Sequence, residues 1–197
     1  AIKTHGGNAC HFMRLSEVFR KLGDAPLARL AWINGTVQLE PGPEAIAYFE
    51  KGQALHQQGA LRQAVVNYGA SWSEAAFWAL PMRQAGVALF HSGSRQEALS
   101  AFATAVRLDP WDRINYYVLV ESLRSVHRAA KAIDFARAGL RLIPEADELR
   151  CRLLILQRDL CDWRGAQTLL DEISTRYFPP SGTMHGPCVT PFDSLWL

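Results

Sequence analysis

Cysteines and histidines are the residues of this chain best suited to hold a metal or to act as nucleophile and base. The four cysteines are Cys10, Cys151, Cys161 and Cys188. They form no Cys-x-x-Cys pair and match no zinc spacing, so they read as free thiols of a reducing intracellular compartment. His5, Cys10 and His11 make the one Cys/His cluster, and part of it lies in what reads as an irregular terminus. His56, His91 and His127 also invite a metal or acid/base assignment. Each falls near the end of the first helix of a helical hairpin, and stacked hairpins would hold them about 9 to 12 Å apart, too far to share an ion. They are expected to be solvated or capping side chains. No nucleophile–base set, glycine-rich phosphate loop or paired-carboxylate site appears, so no catalytic residue, cofactor or metal is expected in this segment.

The elements that carry these residues follow from composition and periodicity. The chain has 197 residues, 49% hydrophobic and 20% charged, which is the balance of a globular protein and not of a disordered tail. Its 21 basic and 19 acidic residues give a net charge of +2, with no basic stripe of the kind nucleic-acid binders use. No apolar run approaches the roughly 20 residues of a membrane span, and residues 1–7 contain no secretory apolar region. With no initiator Met, the chain reads as a piece of something longer or a processed product.

A fixed step of 34 residues organises the sequence. Gly52 recurs as Gly86, Leu55 as Leu89, Gly59 as Gly93, Tyr68 as Phe102 and Pro110 as Pro144, while Ala64 recurs as Ala98, Ala132 and Ala166. Small residues at fixed intervals let two antiparallel helices approach closely, and a bulky aromatic fills the space beside them. Ser94 with Glu97 reads as a capping box, Pro110 as a helix stop and Asp112 as the cap of the helix that follows. This pattern resembles the tetratricopeptide repeat, whose signature is a set of side-chain sizes on a 34-residue period. The 34-residue step and the Ala/Pro signature disfavour the RNA-binding pentatricopeptide relatives, whose period is 35.

The resemblance implies an all-α, right-handed superhelical solenoid of about five hairpins. The repeats are expected near 9–42, 45–78, 79–112, 113–146 and 147–177, after an N-terminal tail at 1–8. Residues 178–197 read as a Pro/Gly-rich linker and an apolar end. The inter-helix turns fall at Gly23, Gly59 and Gly93, and near His127 and Cys161, where no glycine supplies the left-handed conformation. In the fifth repeat, Arg150 and Gln157 stand where bulky apolar residues are usual.

Stacked hairpins expose a concave face lined by the first helix of each repeat. Projected from the small eighth position, that groove is expected to present Phe49, Gln53, His56, Arg83 and Phe90, then Tyr117, Glu121, Arg124 and Arg158. Met13, Glu17, Arg20 and Cys151 extend it. Aromatic anchors beside arginines suit an extended peptide, a helix or a subunit of a protein partner. The Lys/Asn clamp of the chaperone-binding members of the family is absent. Phe192, Leu195, Trp196 and Leu197 form an apolar cluster expected to be buried as a docking element. The expected partners are therefore proteins, within a larger assembly, with no nucleic acid and no membrane span.

One further resemblance is narrower. Cys161-Asp162-Trp163, followed by Thr190-Pro191-Phe192-Asp193-Ser194-Leu195, is similar to the junction between repeats and catalytic region in the O-GlcNAc transferase and Spindly family. It implies a substrate-selecting portion of a protein O-glycosyltransferase whose catalytic lobes lie beyond Leu197. In that setting Asp162 caps the last helix and Trp163 packs on the preceding hairpin.

Overall fold

The computed structural model describes residues 6–36 and 39–177. Among them are ten α-helices and no strand: α1 Gly6–Lys21, α2 Ala25–Thr36, α3 Pro43–Gln57, α4 Leu61–Glu74, α5 Ala79–His91, α6 Arg95–Leu108, α7 Arg113–Ser125, α8 Ala129–Leu142, α9 Asp147–Asp159 and α10 Trp163–Tyr177. They form two compact units, α1–α5 up to Gly93 and α6–α10 from Ser94. In the first unit α1 packs on α2, α3 on α4 and α4 on α5. In the second, each helix packs on the next, and α7 also touches α9.

The hairpin turns follow one design. The amide of Gly59 donates to the carbonyl of His56 (3.0 Å) and that of Ala60 to Leu55 (2.9 Å), a pair of bonds that satisfies the last carbonyls of α3. The same pair closes α1, α7 and α9, at Gly23, His127 and Cys161. The motif requires a left-handed residue. Gly23, Gly59 and Gly93 supply it with φ of 80°, 77° and 87°, and His127 and Cys161 adopt it without glycine at φ of 58° and 56°.

Close packing explains the small residues of the repeat. Ala64, Ala98, Ala132 and Ala166 are all buried. A Cβ on Gly52 would stand 2.8 Å from the Tyr68 ring, and one on Gly139 would stand 2.8 Å from Leu149 and 3.0 Å from Tyr116. Polar side chains tie buried helix ends: Ser16 Oγ donates to Ala28 O, and Ser71 Oγ to Ala45 O, both at 2.7 Å. In the fifth repeat, Arg150 is only 9% exposed because it donates to Asp147 (2.5 Å) and to the Pro144 carbonyl (2.6 Å). Gln157, 3% exposed, turns its amide nitrogen to Asp162 Oδ2 (3.4 Å) beneath the bare backbone of Gly165.

Two local expectations are corrected. Ser94 makes no side-chain cap bond. Its ψ of 61° departs from the extended conformation of a capping residue, so Oγ does not reach the first-turn amides. Trp163 is 63% exposed and does not pack into the preceding hairpin. It is the first residue of α10, and the neighbouring Asp162 spends its carboxylate on Gly165 N–H (3.0 Å) and Gln157. The Asp112 cap stands: its carboxylate accepts from the Ile114 amide at 2.8 Å.

Candidate functional site

The first helices of the hairpins, α1, α3 and α5 in one unit and α7 and α9 in the other, carry the residues expected to meet a partner. Side chains on successive first helices meet at a step of 35 residues, one more than the sequence period. Tyr117 meets Arg152, Arg113 meets Glu148, Arg124 meets Asp159 and His56 meets His91 at this step.

The α7–α9 face is the better-knit of these surfaces. Arg152 lies over the Tyr117 ring, 5.2 Å from its centroid, and donates to the Tyr117 hydroxyl at 2.9 Å. Its Nε stands 3.4 Å from Glu121 Oε1. Glu121 also accepts from Arg124 (3.4 Å), which reaches Asp159 at 3.9 Å. Glu121 Oε1 is buried yet accepts no hydrogen bond, because the Arg152 contact has ion-pair distance without hydrogen-bond geometry. The ion pair with Arg152 offsets part of the cost of leaving this buried oxygen without a hydrogen bond. Alternating charge, with one guanidinium stacked on an aromatic ring, fixes these side chains before any partner arrives.

On the first unit, His56 and His91 bring Nε2 and Nδ1 to 3.4 Å, with ring centroids 5.6 Å apart. This overturns the expectation that the histidines lie too far apart to share a ligand. The spacing of helix axes does not limit side chains that lean toward one another. Burial, and then the nearby His91, hold the His56 imidazole below its usual basicity.

Phe49 is not a groove residue. It is 7% exposed, in a core cluster with Ala64, Tyr68, Ala85 and Ala88, and its ring meets Tyr68 at 5.7 Å and Trp78 at 4.9 Å. The second repeat has Ala76 where its closing proline would stand, and Trp78, two residues on, covers Phe49. Gln53 is exposed, and Arg83, Phe90, Tyr117, Glu121, Cys151 and Arg158 are half-buried. Met13 is half-buried, Arg20 is exposed, and Glu17 pairs with Lys21 at 3.0 Å. Phe192, Leu195, Trp196 and Leu197 lie outside the described residues.

Arg152 and Asp159 join the α7–α9 face, and His91 joins His56 on the first unit, although the projection from single repeats did not select them. The signal that finds them is the 35-residue step applied to Tyr117, Arg124 and His56. Among the described residues no group of three or more His, Cys, Asp or Glu is placed to hold a metal ion, and no helix is long and apolar enough to cross a membrane. Neither Cys151 nor Cys161 is in a disulfide.

No family model matches the chain, and no curated protein matches it. Solved structures do. MamA superposes with a TM-score of 0.59 at 15% identity, over 92% of this chain and 100% of that one. The first TPR of Spaghetti (RPAP3), bound to the HSP90 peptide SRMEEVD, gives 0.53 at 19%, over 60% of this chain and 94% of that one. YrrB, a TPR protein with an unusual peptide-binding site, gives 0.54 at 18%, over 66% and 67%. At such identities the likeness shows the fold: an all-helical array of tetratricopeptide-type hairpins.

Proposed function

We propose that this protein is an interaction scaffold that holds an extended segment or a helix of a protein partner against the first-helix faces of its hairpins. The observation that carries the reading is the preordered Tyr117–Arg152–Glu121–Arg124 cluster on α7 and α9. It combines an aromatic surface and two guanidinium groups held in place by one carboxylate. Such a face suits an extended segment that carries acidic side chains toward the arginines. Two of the structural neighbours, RPAP3 and YrrB, are peptide binders, and this supports the reading. The apolar end, with Phe192, Leu195, Trp196 and Leu197, serves as a second docking element.

The test is a panel of extended peptides, acidic, basic and apolar, titrated by fluorescence anisotropy. Acidic members should bind best, and Arg152→Ala should weaken them by about 1–2 kcal/mol. Lys131→Ala, on α8, should leave binding unchanged. Equal binding by wild type and Arg152→Ala would place the partner elsewhere.

The glycosyltransferase alternative rests on Cys161-Asp162-Trp163 and Pro191-Phe192 alone, and the structural neighbours lend it no support. Nucleotide-sugar-binding lobes in the reading frame after Leu197 would revive it.

A further inference from the structure

His56 and His91 are the penultimate residue of α3 and the last residue of α5. We propose that they form a two-imidazole site for a divalent transition cation of the class that prefers nitrogen ligands, such as zinc.

The separation is the first argument. At 3.4 Å, Nε2 of His56 and Nδ1 of His91 lie beyond the ~2.7–3.2 Å of an ordinary hydrogen bond from nitrogen. Two nitrogens each ~2.0–2.1 Å from one tetrahedral ion stand ~3.3–3.4 Å apart, so the pair already has the chelating separation. The rings meet edge to face, 70° between planes, and are not stacked. The buried Tyr68 ring lies edge-on to His56 at 6.4 Å and limits its swing.

The local field is the second argument. Both histidines stand in the last turn of their helices, where the partial negative charge of the final carbonyls favours a cation. Ligation through these atoms requires the Nδ1–H tautomer of His56 and the Nε2–H tautomer of His91. Two imidazoles fill two of four positions, and water or a donor from a bound segment completes the shell. The ligand of this site is an ion and not a peptide, so the zinc titration tests it independently of the peptide panel.

The experiment uses the full chain stripped with EDTA and titrated with zinc sulfate by calorimetry. Zinc should raise the melting temperature, and His56→Gln and His91→Gln should each weaken the site at least about tenfold, since even outer-shell losses cost ~10–100-fold. The double variant should bind zinc at this position no better than either single one. Imidazole 15N shifts of wild type on adding zinc give a readout that survives if a variant fails to fold, and His56 Nε2 and His91 Nδ1 should move together. Zinc binding unchanged by either substitution, as at His5, Cys10 and His11, would overturn the proposal. So would loss in only one variant, or no binding at ~1 mM zinc.

Discussion

The Tyr68 ring lies so close over Gly52 that one added carbon decides the fit. Alanine is the better helix former by about 1 kcal/mol. At Gly52, however, its Cβ would press two ring carbons of a buried tyrosine at 2.8 Å. Overpacking wins, and Gly52→Ala should destabilise the protein by about 1–3 kcal/mol in urea unfolding. An unchanged or raised midpoint would contradict the packing of this hairpin. His56 makes a second residue-scale prediction, through pH. Its folded pKa lies below the unfolded value of about 6.5, so the unfolded chain takes up the proton first as pH falls. The contribution of His56 is therefore full above that value and is lost as pH falls through the unfolded pKa toward the depressed folded one. Part of the depression comes from His91, so His91→Gln should flatten the loss between neutral and mildly acid pH. A melt-versus-pH curve of unchanged slope in the variant would show that burial alone depresses it.

The five hairpin turns pose one backbone problem with two solutions. Three use glycine, whereas His127 and Cys161 hold left-handed φ with a side chain present. The left-handed region costs a side-chain-bearing residue roughly 1–2 kcal/mol, and glycine's extra unfolded-state freedom returns part of that. His127→Gly and Cys161→Gly should each stabilise by about 0.5–1 kcal/mol, read as a higher melting temperature. A drop would mean that the side chains contribute contacts exceeding the strain. These turns were legible because recurrence fixes backbone conformation: the step that aligns Gly59 with Gly93 also marks His127 and Cys161. The Ser94 cap and the Trp163 contact were not legible, because both depend on a torsion or on a neighbour's competing bonds. Phe49 escaped for a related reason. Its exposure depends on Trp78, an aromatic that the repeat pattern does not prescribe. The face residues were half legible: the period supplied Tyr117, Glu121 and Arg124, while the 35-residue offset that brings in Arg152 and His91 belongs to helix stacking.

In a repeat array each hairpin leans on its neighbours, so the two ends differ in kind from the middle. A hairpin with no neighbour on one side leaves an apolar face to be covered. At the N-terminal hairpin Leu22, Leu27, Leu30 and Ile33 are exposed. After Tyr177 the sequence supplies apolar material in Phe192, Leu195, Trp196 and Leu197. Burying two aromatic rings contributes several kcal/mol at about 25 cal/mol per Å2, which is enough to anchor a segment or a partner. The 13 residues from Phe178 to Thr190 extend at most about 45 Å, ample to return over α9 and α10 or to reach outward. Phe192→Ala and Trp196→Ala separate the two roles. If this end covers the last hairpin, both variants melt lower while any complex forms as before. If it docks, they melt like wild type and association, measured by light scattering or with a purified partner, is lost. The docking role is the expected outcome, because Leu149, Leu153, Leu154 and Leu156 of α9 are already buried with α10 packed beside them. Unchanged melting together with unchanged association would leave the cluster without a function.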